Sequence, residues 1–447
     1  MGIDSLTKSQ KAAYQKFIEF MLNPNQSSLI IQGSAGTGKS YLTKYLIEEG
    51  ISNYRSTSRA LGIKDIYNGY AVCATTNKAV EALERQINTS ANNPVTTLSK
   101  LLGLYVDYNP KTHQHTLVPK AGNHIISNKI IFIDECSMIS ADVFEYINVL
   151  CRKCKIIYIG DKFQLPPVKE KISKIYQCNY PEVTLTDPVR NAGNKALMAL
   201  CEQLKNTCET GEWHDIHSCP GSIEVIKEGS KMQKIFNELF TKPKEDQKVI
   251  AYTNKFVTSY AQCIMDLRGE KDYLAKGAWY TSNNFYKYQF SADRQSLPVD
   301  APIQILDIKD VSPISYRTYK LTDPQLINSG MLKKVLVFCP FVGCTWWDTV
   351  FADPNQYLQY IKWITKQDKE FARVVQEETL DLRRSESCTI HKAQGSTLDT
   401  VIIDLYDIST CTQKDITAKL LYVAASRAKN KVIFYGELSK RYGVTVA

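Results

Sequence analysis

The stretch "SSLIIQGSAGTGKSYLTKYLIEE", Ser27 to Glu49, runs from a short apolar β-branched segment through a glycine-punctuated loop into helical spacing. Strand, glycine loop, helix is the order that begins a doubly wound parallel α/β domain. Within it "GSAGTGKS", Gly33 to Ser40, matches the full phosphate-loop pattern in the strand-to-helix context that gives the pattern meaning. Gly33, Gly36 and Gly38 let backbone N–H groups turn inward around phosphates at a helix N-terminus, and Thr37 belongs to the same cradle. Lys39 is expected to reach the β and γ oxygens, and Ser40 to offer its hydroxyl to Mg²⁺.

Working outward, "KIIFIDE" (Lys129 to Glu135) and "KIIYIGD" (Lys155 to Asp161) are buried-strand runs, as is "YAVCAT" (Tyr70 to Thr75). Asp134 and Glu135 close the first of these at the C-terminal end of a strand, where open α/β sheets bind ligands. Two adjacent carboxylates there are costly unless a cation uses them. Asp134 is expected to hold Mg²⁺, directly or through water, and Glu135 to orient and deprotonate the attacking water. "YIGDKFQLPPV" then places Gln164 where it can sense the γ-phosphate or that water, on a turn stiffened by Pro166 and Pro167.

A capped helix is expected before this unit, starting at Ser5 or Thr7 and burying Ala13, Phe17, Phe20 and Met21. Between Leu104 and Ser127 the rhythm breaks into alternating residues around Asn109-Pro110, which predicts a small protruding hairpin. A second α/β rhythm starts at "KVIAYTN" (Lys248 to Asn254) and returns only at "TVIIDLYD" (Thr400 to Asp407) and "NKVIFYGE" (Asn430 to Glu437). The segment between, rich in Tyr, Phe, Trp and Pro, reads as an insertion with its own β-core. "HKAQGST", His391 to Thr397, is a second polar loop turning on Gly395. His391 and Lys392 could face one ligand and Gln394 another, so that one loop couples two sites.

The chain has 447 residues, 44% hydrophobic and 23% charged, which predicts more than one core. Lys and Arg number 55 against 46 Asp and Glu, a net charge of +9 that favours a polyanionic partner without identifying it. The 13 cysteines follow no framework spacing and no secretory leader is evident, so reduced thiols in a cytoplasmic setting are expected. "CRKC" (Cys151, Cys154) and the loose group Cys208, His214, His217 and Cys219 read as ordinary packing or surface rather than zinc sites. The longest apolar stretch, Val335 to Trp347, is broken by Pro340 and too short to span a bilayer. The opening "MGIDSL" has Leu6 where a myristoylation signal wants Ser or Thr.

The motifs together carry a resemblance. Gln10 in "LTKSQ", "GSAGTGKS", "ATTNKAVEAL", "DECSM", "GDKFQLPPV", "AYTNK", "TIHKAQGSTLDTVII" and "LLYVAASRAKNKVIFY" stand in the order of superfamily 1 helicases. The chain most resembles the 5′-to-3′ branch, superfamily 1B, which contains the bacteriophage Dda helicase and RecD. The resemblance spans about residues 5 to 437 and is weakest in the hairpin and the insertion.

What it implies is an α/β fold of two RecA-like P-loop motor domains. The first would cover 1–103 and 128–191, with a hairpin insertion at 104–127. The second would cover 192–266 and 385–447, with an SH3-like β-barrel insertion at 267–384. It implies ATP with Mg²⁺ in the cleft, with Gln10 reading the adenine, Gln394 and Gly395 near the nucleotide, and Arg190 ("LTDPVRN") and Arg427 ("AASRAK") approaching the γ-phosphate. An arginine from the second domain stabilises transferred charge only when the domains close. Single-stranded DNA would cross the tops of both domains over Thr76, Asn77, Thr97, Thr253, Asn254, His391 and Lys392, side chains that grip backbone without reading sequence. Thr75 stands where relatives often have proline, and Ser99 where Dda-like proteins carry histidine.

The resemblance thus implies an ATP-dependent DNA helicase acting on single-stranded and forked duplex DNA as a monomer. Replication or recombination proteins are its implied partners, with no membrane involved and the host cytoplasm as its place if phage-encoded. The hairpin would split the duplex, with Tyr108, His113, His115 or Leu117 as the wedge and the inserted barrel as its brace. The aromatics of "WYTSNNFYKYQF" (Trp279 to Phe290) are expected in the barrel core. Two other functions use the same residues: a nucleotide-switched DNA-binding protein that remodels complexes, and a RecD-like subunit of a larger assembly. Intact Glu135, Gln164 and Arg427 argue against a dead ATPase, and no nuclease carboxylate cluster is apparent.

Overall fold

The computed structural model describes residues 3–87, 94–109, 114–119, 125–167, 170–187, 193–287, 296–311 and 330–447, with backbone alone for 106–109 and 114–116. Its opening helix, Lys8–Leu22, begins at Thr7 with a reciprocal capping box in which Gln10 is the third residue. Ala13, Phe17, Phe20 and Met21 are its buried stripe. Its C-terminal end is met by Lys155, whose Nζ donates to the carbonyls of Phe20, Asn23 and Gln26 at 2.8, 2.6 and 2.5 Å. An ammonium belongs at that pole of a helix, where carbonyls lack intrahelical donors.

Six parallel strands form the first sheet, in the order Glu182–Leu185, Ser28–Gly33, Lys155–Gly160, Ile130–Asp134, Tyr70–Ala74 and Thr96–Thr97. Every residue of Ser28–Gly33, Ile130–Asp134 and Lys155–Gly160 is buried, as expected for a sheet covered on both faces. The edge strands Thr96–Thr97 and Glu182–Leu185 are not evident in the sequence, because each is too short or too exposed to show a strand period. Leu104–Asn109 and Gln114–Pro119 pair antiparallel beside this domain, with Tyr108 opposite His115. Leu117 packs half-buried against the domain core. His113 lies outside the described residues, as do the side chains of Tyr108 and His115.

The second sheet is again all parallel, in the order Ile223–Ile226, Ala428–Tyr435, Leu398–Asp404, Gln247–Ala251 and Ser387–Thr389. Between its strands the chain leaves after Leu267 and returns at Ser387. The excursion carries a five-stranded antiparallel sheet ordered Cys344–Phe351, Leu332–Cys339, Pro302–Asp310, Trp279–Ser282 and Leu382–Arg384. Tyr280 and Tyr286 lie in its core while Phe285 is exposed.

This excursion is not all β, contrary to the expectation from its composition. Helices Pro354–Gln367 and Lys369–Glu378 lie between its last two strands, capped by Asp353, with Pro354 in the first turn, and by Asp368. Tyr357, Ile361 and Ile364 form the buried stripe of the first helix. These start signals are present in the sequence but are masked by the aromatic content around them.

The two crossings between this sheet and the second α/β domain are joined by buried charges. Arg268 and Glu270 on the outgoing chain meet Arg384 and Glu386 on the returning one. Arg268 pairs closely with Glu386 and Arg384 with Glu270, and a second Arg384–Glu386 contact lies at 3.4 Å. Among the described residues, no helix is long and apolar enough to cross a membrane.

Candidate nucleotide cleft and nucleic-acid face

The glycine loop takes the shape its residues permit. Gly36 and Gly38 sit at φ 86° and 78°, and Gly38 caps the helix Lys39–Tyr45. A Cβ at Gly33 would fall 2.4 Å from Thr37 Oγ1, so only glycine allows Thr37 to fold over and donate to the Ser34 carbonyl at 2.9 Å. Lys39 Nζ donates to the Gly33 and Ser34 carbonyls at 2.7 and 3.1 Å, curled into the space its own loop encloses. Ser40 follows it in the first helical turn.

Gln10 is fully buried, and both ends of its amide are engaged. Its Oε1 accepts from the Thr7 N–H at 3.0 Å, and its Nε2 donates to the Thr37 carbonyl at 3.3 Å. It therefore anchors the phosphate loop to the first helix; contact with a base would require Nε2 to let go of that carbonyl.

At the end of Ile130–Asp134, burial and the neighbouring Glu135 push the Asp134 carboxyl up to about 7, against the pull of Lys39. Glu135 adopts the left-handed region at φ 53°, which is strained for a residue with a side chain. Its Oε2 is buried without a protein partner. Thr75 donates from Oγ1 to the Glu135 carbonyl at 3.2 Å, so this residue holds the strained turn in place. A buried aspartate and a half-buried glutamate beside a lysine, one glutamate oxygen buried and unpartnered, fit a divalent cation.

Gln164 is buried on a turn built by Asp161, whose carboxylate accepts the Phe163 N–H at 3.0 Å and whose carbonyl accepts the Gln164 N–H at 3.1 Å. From the second domain, Gln394 Nε2 donates to Gln164 Oε1 at 3.4 Å, while Gln394 Oε1 is buried without a partner. The structure thus brings Gln164 and Gln394 together. Arg427 is buried, but its guanidinium donates to the Val423 carbonyl at 3.1 Å and to Ser426 Oγ at 2.8 Å, both in its own domain. Arg190 lies outside the described residues.

The residues expected to face DNA share a geometry. Thr76, Thr97 and Thr253 each stand at the N-cap of a helix that follows a parallel strand, and Thr389 caps the short helix Ile390–Ala393 in the same way. Thr76 and Thr97 accept from the backbone N–H three residues on, at 3.2 Å in each case. Thr253 instead gives its hydroxyl to Asp407 Oδ1 at 2.9 Å. Asn254 is exposed. Asn77 donates across to the Val299 carbonyl at 3.3 Å, and Lys392 Nζ to Asn283 Oδ1 at 2.8 Å, with Asp300 at 3.5 Å. Two of these residues therefore rest against the inserted unit. Burial lowers the His391 pKa, which favours the neutral imidazole.

The loop after Ile390–Ala393 touches both regions. Gly395 is left-handed at φ 75°, and a Cβ there would lie 3.6 Å from the Ala79 N and 3.7 Å from Thr76 Oγ1. Lys78 Nζ donates to the Lys392 carbonyl at 2.7 Å. Gln394 thus faces the Gln164 turn while its neighbours pack on the helix that starts at Asn77. Asp407, Lys78 and Tyr422 carry no motif role in the sequence alone. Tyr422 had a signal: a phenol inside the otherwise apolar "LLYVAA" must find a partner.

Comparison with known proteins points to the same fold. A family model described as an AAA domain matches residues 19–170, and one described as a UvrD-like helicase C-terminal domain matches 385–435. The ATP-dependent DNA helicase dda of Enterobacteria phage T4 is 24% identical over 282 residues, 58% of this chain and 56% of its own. The chain is thus similar over part of its length to a curated ATP-dependent DNA helicase. Protein R530 of Acanthamoeba polyphaga mimivirus is similar end to end, 24% identical over 96% of this chain and 99% of its own. A solved structure concerned with DNA unwinding at forked double-stranded DNA by two coordinating Pif1 helicases shares the two-domain α/β fold. It is 16% identical with TM-score 0.53, covering 98% of this chain and 93% of that one.

Proposed function

We propose that the protein is an ATP-dependent DNA helicase that moves along single-stranded DNA, in the 5′-to-3′ direction of superfamily 1B, and separates forked duplex. The observation that carries this reading is the loop Lys392–Gly395. It sets Gln394 against Gln164 and packs Gly395 and Lys392 against the Thr76–Ala79 segment of the opposite domain. A loop touching both regions gives hydrolysis a physical route to the grip on DNA.

In this reading Gly33, Gly36, Thr37, Gly38 and Lys39 hold the triphosphate, and Gln10 lies at the adenine side of the loop. Ser40 and Asp134 would hold Mg²⁺, which when bound neutralises charge on the phosphate oxygens. Glu135 deprotonates the attacking water through the carboxylate oxygen that has no protein partner. Gln164 orients that water, with Gln394 and Gly395 pressing from the second domain. Arg427 and Arg190 meet the γ-phosphate charge on closure, Arg427 by exchanging its Val423 and Ser426 contacts for phosphate. Thr76, Asn77, Thr97, Thr253, Asn254, His391 and Lys392 form the strand path.

We assign the first motor domain to 1–103 and 128–191 and the second to 192–266 and 385–447. The 104–127 hairpin is the duplex-splitting pin, and 267–384 is an SH3-like unit that braces it. The buried Arg268, Glu270, Arg384 and Glu386 contacts support a rigid brace. The test is ATP hydrolysis with and without single-stranded DNA, wild type against Lys39→Ala. Hydrolysis stimulated by DNA and abolished in the variant supports the reading; hydrolysis indifferent to DNA sinks it.

A further inference from the structure

The helix Lys414–Ala425 of the second domain is buried through its last six residues, Leu420 to Ala425. From it Tyr422, 1% exposed, reaches the first domain and donates its hydroxyl to Asp161 Oδ2 at 2.6 Å. Asp161 is equally buried and uses its other carboxylate oxygen to accept the Phe163 N–H at 3.0 Å. Its carbonyl holds the Gln164 N–H at 3.1 Å. Ser34 of the phosphate loop lies near enough to this phenol to act on its electrostatics. One side chain of the second domain therefore sits at the junction of the two first-domain loops that handle phosphate and water.

Tyr422 also lies on the helix whose end holds Arg427. Arg427 Nε donates to the Val423 carbonyl, one residue after Tyr422, at 3.1 Å. We infer that Tyr422 is a positioning residue for ATP hydrolysis: its hydroxyl registers the second domain against the Asp161 turn, so that Gln164 and Arg427 meet the γ-phosphate in one geometry. This rests on the nucleotide-site reading above. The physical warrant is a hydrogen bond to a buried carboxylate, stronger than a neutral one and specific in direction. Without it the carboxylate is buried a donor short, and the turn that carries Gln164 keeps only its weaker ties to the opposite domain, such as the 3.4 Å contact with Gln394.

Tyr422→Phe keeps the ring and removes only the hydroxyl, so packing is preserved. Measured in the full chain, DNA-stimulated kcat is expected to fall by about tenfold or more, the effect of one hydrogen bond to a charge. KM for ATP and the Kd for single-stranded DNA are expected to stay within about threefold, since the hydroxyl is spent on Asp161. Asp161→Asn tests the same bond from the other side, and the double variant is expected to fall no further than the weaker single one. Wild-type kcat in Tyr422→Phe, additive losses in the double variant, or losses spread equally over kcat, KM and DNA binding would each overturn the inference. If wild type itself hydrolyses no ATP, the nucleotide reading fails instead. Should Tyr422→Phe not fold, Asp161→Asn alone carries the test, with unchanged kcat refuting it.

Discussion

Replacing Gln394 with Ala isolates the step from hydrolysis to grip. The side chain is 2% exposed, and among the described residues its amide makes one hydrogen bond, to Gln164 Oε1 at 3.4 Å. At that length a neutral hydrogen bond contributes about 0.5–1 kcal/mol. The unpartnered Oε1 adds more only where the transition state supplies a donor, such as the attacking water, for about 2 kcal/mol altogether. The expected result is a fall in DNA-stimulated kcat of about thirtyfold, the equivalent of that energy. Affinity for single-stranded DNA should hold within about twofold, because the neighbouring contacts of Lys78 and Gly395 are backbone and packing contacts that the change leaves intact. Steady-state ATPase assays with and without an oligonucleotide, beside fluorescence anisotropy of the labelled strand, separate the two quantities. Equal losses in hydrolysis and binding would refute the coupling role, because they would mean that Gln394 only supports the loop's shape.

Other parts of the molecule give further expectations. Glu386 receives both Arg268 and Arg384 in a buried setting, so Glu386→Ala leaves guanidinium charge uncompensated and should cost about 3–5 kcal/mol in urea unfolding; a loss below about 1 kcal/mol would show that the junction is not held by these charges. Asp300 lies 3.5 Å from Lys392 Nζ on a partly exposed surface. Asp300→Asn should free that ammonium for DNA phosphates, tightening single-strand binding by about twofold to threefold at low salt, with the gain vanishing at high salt. Unchanged or weaker binding would remove Lys392 from the strand path.

What the sequence disclosed was the geometry that is local in the chain. The phosphate loop, the Asp134–Glu135 strand end and the Gln164 turn are each written in about ten consecutive residues, because glycine conformations and strand ends are short-range requirements. The parallel strands at the centre of each sheet were legible from unbroken apolar runs, whereas Thr96–Thr97, Ile223–Ile226 and Ser387–Thr389 were not, since such short strands are defined by their neighbours. Lys155 looks like a surface charge at the start of a strand, yet it is buried under three carbonyls more than a hundred residues away in sequence. Tyr422 on Asp161, Asn77 on Val299 and Lys392 on Asp300 likewise join residues from separate domains, so no local pattern could announce them. The helices Pro354–Gln367 and Lys369–Glu378 were hidden for a different reason: composition suggested β, and their caps were outweighed by it.

Strand separation itself is the most direct test of the account. A labelled duplex carrying a single-stranded tail on its 5′ or its 3′ side is incubated with ATP and Mg²⁺, wild type beside Lys39→Ala. The account predicts that wild type unwinds the 5′-tailed duplex only while ATP is present, leaves the 3′-tailed duplex paired, and loses all unwinding in Lys39→Ala. Separation without ATP, or separation by Lys39→Ala equal to wild type, would contradict the claim that this cleft drives a motor on DNA; unwinding from the 3′ tail alone would contradict the assigned direction.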